Sequence, residues 1–410
     1  MVKLFSKRKS SANSRSYASS ISLFTERTPR TGMRKEGGWT WLKIDRKLTL
    51  ITFAFLCFGL IFTYSSSAFD SMAYFKRQLI FDFIGVAAAL FLSQTYTRLQ
   101  SYIKPIWLMY GTWVLLVIVL FTQPIANVHR WIPIGPFNLQ PSEIAKVTLV
   151  IYIADYLSNV QGKLARNWGL LIKPLVISGI TFALIMKAPD LGTVLLMGGV
   201  LVMMLFAAGA SLKQLGVLFM FGLPVLAYQL IFYSYRLERL LSFLNPEAQA
   251  ATAGYQLTQS FLAVGSGGWF GKGLGNSELK LEYLPAAHTD FIFSIMCEEV
   301  GLVGVLIVIG AFCWLLIRGI SLACVSKNSF HSLLIFGLTL TICAQAFFNM
   351  AMAIGLLPPK GIPLPFFSYG GSSVIMTLVM MGIIANLAAQ TTSARKPHAD
   401  DFTDYRTRNR

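Results

Sequence analysis

LTLITFAFLCFGLIFTYSSSAF, residues 48–69, is an apolar run of the length that carries an α-helix across a bilayer, roughly 20 residues. Nine similar runs follow, at 79–93, 106–121, 143–157, 168–186, 191–208, 215–232, 291–316, 333–354 and 373–389. Of the 410 residues, 55% are hydrophobic and only 13% charged. The chain therefore reads as all-α, a polytopic integral membrane protein with ten transmembrane helices. Its one long interruption is a polar loop of 57 residues, 234–290, between the seventh and eighth runs.

Basic residues orient the stack, because short loops rich in Lys and Arg stay in the cytoplasm. With the amino terminus inside, inner segments hold 25 of the 35 basic residues, 12 of them before residue 48. Both termini are then expected to be cytoplasmic, and the 234–290 loop extracytoplasmic. The organisation expected is a basic disordered tail over 1–47, a membrane domain over 48–390 and a second tail over 391–410. A net charge of +17 distributed in this way fits topology and anionic lipid, and argues against a nucleic-acid partner. The polar, basic start of the chain does not resemble a cleavable signal peptide. Five cysteines without C-x-x-C spacing predict neither a disulfide framework nor a zinc site.

A charge near the bilayer centre costs roughly 2.5–3.5 kcal/mol on insertion scales, so each needs a partner, a wet cavity or a task. On this topology they gather on the outer side: Arg130, Gln140, Glu143, Lys146, Lys187, Asp190, Arg236, Arg239, Glu282, His288, Asp290 and Lys360. In NLQPSEIAK, 138–146, Pro141 starts a helix and puts Glu143 and Lys146 one turn apart, either as an internal ion pair or as the wall of a cavity. Asp190 follows Pro189 in a very short connection and is either a helix cap or a site residue. GSGGWFGKGLG, 265–275, is not a Walker A loop, since Gly273 follows Lys272. Its glycines suit turns or a re-entrant segment, the permitted place for irregular backbone at membrane depth. Four prolines and four glycines in 355–373 exclude regular helix there, and Lys360 sits among them. Asp290 directly precedes the eighth run, where it fits an N-cap or a catalytic carboxylate. The helix dipole would lower its pKa and burial would raise it.

Taken together these blocks resemble the SEDS family of bacterial membrane glycosyltransferases (shape, elongation, division and sporulation), in its FtsW cell-division branch more than the RodA-like elongation or the sporulation branch. The resemblance runs over about 44–390. It rests on YSSSAF at 64–69, RWIPIGPFNLQPSEIAK at 130–146, PDLGT at 189–193, GYQLTQSFLAVGSGGWFGKGLGNS at 254–277, LPAAHTDFIF at 284–293 and GLLPPKGIPLPFFSYGGSS at 355–373. It implies a peptidoglycan glycosyltransferase that polymerises lipid II, the undecaprenyl-linked disaccharide-pentapeptide, in the bacterial cytoplasmic membrane at the septum. It marks Asp290 as the essential acidic residue, with Glu282 eight residues before it as a second catalytic candidate. Lys360, Arg130, Gln140, Glu143, Lys146, Asp190, His288 and Ser368 are the substrate-binding candidates. A divalent cation, Mg2+ or Mn2+, held by Asp290 and Glu282 stays open. The implied partners are a class B penicillin-binding transpeptidase and other divisome membrane proteins. Ala188 and Ala286 depart from the family pattern. A lipid II flippase and a non-enzymatic division scaffold are the alternatives in other functional classes.

Overall fold

The computed structural model describes residues 45–67, 72–124, 128–135, 137–244, 254–278 and 289–393. Seven helices come first: α1 (Arg46–Ser67), α2 (Met72–Tyr102), α3 (Pro105–Val119), α4 (Pro141–Val160), α5 (Gly169–Lys187), α6 (Leu191–Ala207) and α7 (Leu212–Ile231). Two short ones, α8 (Ser234–Leu244) and α9 (Tyr255–Ser266), lie in the long loop, followed by α10 (Ile292–Val325), α11 (Ser329–Ala353) and α12 (Gly371–Ser393). A helix thus stands at each of the ten apolar runs, and the protein is a polytopic membrane protein. Seven of them are long and apolar enough to cross a bilayer on length and composition. Of the other three, α3 and α6 are shorter, with 15 and 17 residues, and α4 carries Glu143, Lys146 and Asp155. Most of both expected tails, and residues 279–288 with Glu282 and His288, lie outside the described residues.

Besides α8 and α9 inside the expected loop, two details differ from the sequence reading. α2 runs for 31 residues where a run of 15 was expected, because its polar continuation finds partners on α12. There the Thr97 hydroxyl is bonded to Asn386, and Asn386 Nδ2 donates to the Ser93 carbonyl at 2.7 Å. The second is an antiparallel hairpin, β1 (Ile132–Ile134) with β2 (Phe137–Leu139), paired Ile132 to Leu139 and Ile134 to Phe137. Ser372, in the first turn of α12, donates to the Asn138 carbonyl at 2.9 Å and accepts from the Gln140 N–H at 3.0 Å. The hairpin is thereby fastened where α4 begins.

α11 is buried on nearly every side, packed by α4, α6, α10 and α12. At the other extreme, α7 exposes Phe219, Met220, Phe221 and Ile231 and buries only Gln214. An apolar helix so exposed is one whose solvent is lipid. The α11–α12 connection is held by aromatic packing. Phe55 of α1 stacks on Phe312 of α10 at 4.5 Å between centroids and on Phe366 at 5.1 Å. Such contacts contribute about 0.5–1.5 kcal/mol each beyond area burial. They stabilise Phe366 in a left-handed backbone conformation, φ 69°, that a bulky residue otherwise avoids.

The glycine-rich stretch after α9 is fastened to α10, and its task is specific. α10 breaks at Gly301 (φ 62°, ψ −169°), which strands helical carbonyls on one side and N–H groups on the other. The N–H groups of Lys272 and Gly273 donate to the carbonyls of Glu298 and Glu299 at 2.9 and 3.0 Å. In return, the N–H groups of Leu302 and Val303 donate to the carbonyls of Gly268 and Trp269 at 2.9 and 3.1 Å. This contact requires glycine, since a Cβ on Gly271, itself at φ 80°, would collide with the Glu299 carbonyl. Gly271→Ala is expected to destabilise the protein by at least about 2 kcal/mol. Gly216→Ala, facing open space on α7, is neutral or slightly stabilising. Thermal unfolding in detergent separates the two, and equal transition temperatures would refute the role given to the stretch.

Candidate active site

The polar groups collect at the end of the bundle where α4, α6 and α10 begin. Asp190 caps α6, accepting from the Thr193 N–H at 3.2 Å and the Thr193 hydroxyl at 2.8 Å. Its second oxygen also accepts from the Ser142 hydroxyl at 3.1 Å, so one buried carboxylate joins α4 to α6. Arg130, just before the hairpin, donates through Nε to the Ala188 carbonyl at 3.1 Å and through a terminal nitrogen to the Pro189 carbonyl. That clamp fixes its guanidinium on the α5–α6 turn. One turn into α4, Glu143 and Lys146 form a buried ion pair at 2.8 Å, and Lys146 is also bonded to Gln345 of α11.

Asp290 sits opposite, in a different condition. The N-cap of α10 is Phe291, with no side-chain cap, so Asp290 is not the helix cap that its position suggested. Its backbone is fastened instead. Asn349 of α11 donates through one nitrogen to the Asp290 carbonyl at 2.8 Å and to the Ile362 carbonyl at 2.7 Å. Ser368 donates to the neighbouring Thr289 carbonyl and accepts from the Leu364 N–H at 2.7 Å. Two side chains therefore tie the start of α10 to the connection that bears Lys360. Gly361 lies against the Asp290 carboxylate, its missing Cβ 3.2 Å from Oδ2 and 4.0 Å from an Arg130 nitrogen. Lys360 packs beside Gly192 at the start of α6.

Electrostatics single out two of these groups. Burial pushes the Asp290 carboxyl up to about 6, against the pull of Arg239 and Arg130 and with a small addition from the charge of Asp190. Of the two opposed effects expected for it, burial wins. Lys360 is pushed down to about 8, first by burial and then by the cations Arg236 and Arg239, with Asp190 opposing. Both groups are thus shifted towards neutrality by burial, the kind of perturbation that gathers at functional sites.

The structure brings together Asp290, Arg130, Lys360, Gln140 and Asp190, but it divides their tasks. Arg130, Gln140, Asp290 and Lys360 are half-buried and face the site. Glu143, Lys146, Asp190 and Ser368 are buried and bonded to groups of the protein itself. Glu282 and His288 lie outside the described residues, and with Glu282 goes the divalent-cation suggestion. Among the described residues no group of three or more His, Cys, Asp or Glu comes together. Gln345, Asn349, Arg236 and Arg239 were missed as site residues. Gln345 and Asn349 carry a legible signal, two amides four apart on one face of an otherwise apolar span. Arg236 and Arg239 repeat three apart in the first helix of the long loop.

The sequence model of a cell cycle protein family, FtsW, RodA and SpoVE, matches residues 46–393. A probable peptidoglycan glycosyltransferase FtsW of Geobacter metallireducens is 38% identical over 360 residues, which cover 85% of this chain and 95% of that one. Another, of Alkalilimnicola ehrlichii, is 38% identical over 388 residues, 90% and 96% of the two chains. Among solved structures, a chain from work on how a peptidoglycan synthase complex coordinates polymerization and crosslinking has a TM-score of 0.73 at 27% identity, covering 86% of this chain and 99% of that chain. The Thermus thermophilus rod shape determining protein RodA has a TM-score of 0.64 at 26% identity, covering 87% and 99%.

The Asn349 bridge is the support of Asp290 that can be removed most cleanly. Asn349→Ala leaves two buried carbonyls without their donor, a loss of about 1–3 kcal/mol. The expected result is a lower unfolding temperature together with faster amide hydrogen exchange over 289–294. Unchanged exchange there would show that Asp290 is held by other contacts.

Proposed function

The chain belongs to the FtsW, RodA and SpoVE family of cell cycle proteins, and from that premise and the geometry of the site we infer that it is a septal peptidoglycan glycosyltransferase with Asp290 as its general base. The substrate is lipid II, and the product is a growing glycan strand. The observation that carries the reading is the contrast between two carboxylates. Asp190 is spent on Ser142 and Thr193, whereas Asp290 caps nothing, stands beside Arg130 and Gly361, the neighbour of Lys360, and has its pKa raised towards neutrality.

The donor is a sugar joined through a pyrophosphate to a polyprenyl chain, and the acceptor is a sugar hydroxyl. Displacing an α-linked pyrophosphate to give a β-1,4 bond inverts the anomeric carbon, so a single displacement suffices. Asp290 takes the proton of the acceptor 4-hydroxyl as its oxygen bonds to the anomeric carbon, and the bond from that carbon to the pyrophosphate oxygen breaks. Negative charge then gathers on the leaving group, where Arg130 and Lys360 stabilise it. Gln140, at the same mouth, is positioned to bond a sugar hydroxyl. Support for an extracytoplasmic site comes from the basic residues, which concentrate in the segments at the opposite end. On that topology both termini are cytoplasmic. The partners inferred are a class B penicillin-binding transpeptidase, which would cross-link the new strands, and other divisome membrane proteins.

Asp290→Asn should lower polymerisation of lipid II by the purified chain with its transpeptidase partner on the order of a hundredfold to ten-thousandfold, the usual weight of a general base. Thermal unfolding and partner binding should persist. Near-normal glycan synthesis by the variant would sink the assignment. The pH dependence gives a second test. Asp290 acts as carboxylate, so kcat/KM should rise as pH increases through about 6. Lys360 acts as ammonium, so it should fall again above about 8. Lys360→Arg keeps its charge at every working pH and should remove the alkaline limb. An alkaline limb unchanged in that variant would assign it to another group.

A further inference from the structure

We infer that Arg239, on the loop helix α8, binds one phosphate of the lipid-linked diphosphate, and that Arg236 is the positioning residue that holds α8 over the site. The inference deepens the glycosyltransferase reading and rests on its assignment of a diphosphate donor. Arg236 and Arg239 are three apart and share one face of α8. They differ in what they touch. Arg236 is buried, lies 4.4 Å over the Tyr233 ring and is hydrogen-bonded to Gln229 at the end of α7. Arg239 has an exposed side chain whose charge reaches both Asp290 and Lys360. Arg236 is thus committed to the protein, and Arg239 is presented to the site.

Two further observations point to an anionic ligand at this place. The first is charge. Arg239 and Arg130 act on the Asp290 carboxylate, and Arg236 and Arg239 act on the Lys360 ammonium, so Arg239 is the cation felt by both. Arg130 has already given donors to the Ala188 and Pro189 carbonyls, and Lys360 is a single point charge. A second planar guanidinium supplies the paired donors that a phosphate accepts well. The second is depth. Leu237, Leu241 and Leu244 form an exposed apolar stripe at i, i+4 and i+7 of α8. A short helix with leucines on one side and arginines on another lies in the membrane interface, the level of lipid phosphates.

The test separates binding from chemistry. Full-length Asp290→Asn and Asp290→Asn/Arg239→Gln proteins are titrated in detergent with undecaprenyl diphosphate and with undecaprenyl monophosphate. Loss of Arg239 is expected to weaken diphosphate binding about tenfold and monophosphate binding about twofold or less. Arg239→Lys should recover part of the difference, and because the side chain is exposed the unfolding temperature should not move. Unchanged diphosphate affinity overturns the proposal. So does an equal loss for both lipids, which would make Arg239 a general contact to anionic lipid. Polymerisation retained by Asp290→Asn would instead refute the base assignment, and it would leave this binding comparison interpretable.

Discussion

In hydrocarbon a broken helix must find new partners for its backbone, and α10 breaks nine residues after it starts. The exchange between residues 268–273 and residues 298–303 supplies them, two bonds in each direction. Everything on the site side of Gly301 depends on this exchange, because it fixes the direction of the first turns of α10 and with them Asp290. Glu298 reinforces the joint, since its buried carboxylate accepts from Lys272 Nζ at 2.9 Å and from the Ser277 hydroxyl at 2.5 Å. A loop sequence that looks made for flexibility is held by backbone bonds to a transmembrane helix.

A second constraint acts from the other side. The connection after α11 is free of helix over 354–370, so its buried carbonyls need donors from elsewhere. Gln345 and Asn349, one turn apart on α11, provide them to Pro363 and Ile362 at 2.9 and 2.7 Å. The same Asn349 nitrogen also bonds Asp290. One amide therefore sets the spacing between the proposed base and the segment carrying Lys360. Lys146, bonded to Gln345, extends the arrangement to α4. Site geometry here is a consequence of satisfying backbone groups at membrane depth.

Much of this was legible in the sequence. Apolar runs gave ten of the twelve α-helices described, α8 and α9 in the long loop being the exceptions, since length and hydropathy act locally, and proline density gave the irregular ninth connection. Asp190 and the Glu143–Lys146 pair were read down to their alternatives, and both structural alternatives are present. What stayed hidden depends on long-range pairing. Nothing local in IPIGPFNL distinguishes a hairpin from a loop until Ser372, more than 230 residues away, fastens it. The same holds for Asp290, whose best local role was to cap a helix. Its release from that role follows from Phe291 taking the cap position and from Asn349 holding the backbone. Arg236 and Arg239 were visible as charges, but only the fold brings those charges within reach of Lys360.

The distribution of polar groups along the bundle bears on which chemistry it supports. A carrier of an anionic lipid head group needs a polar route that can open to both sides. Here the buried polar chain descends from Asp190 and Gln140 through Glu143 to Lys146 and stops. Below Lys146, the space between α4, α6 and α11 is lined mainly by apolar side chains, Leu149, Val150, Ile153, Met197, Val200, Leu201 and Met204, with Thr341 as its other polar group. Extending the route through that region would desolvate a diphosphate against apolar side chains, which costs far more than the bundle offers in return. A polar cluster at one end of the bundle with apolar packing below it favours transfer chemistry at one membrane surface over transport.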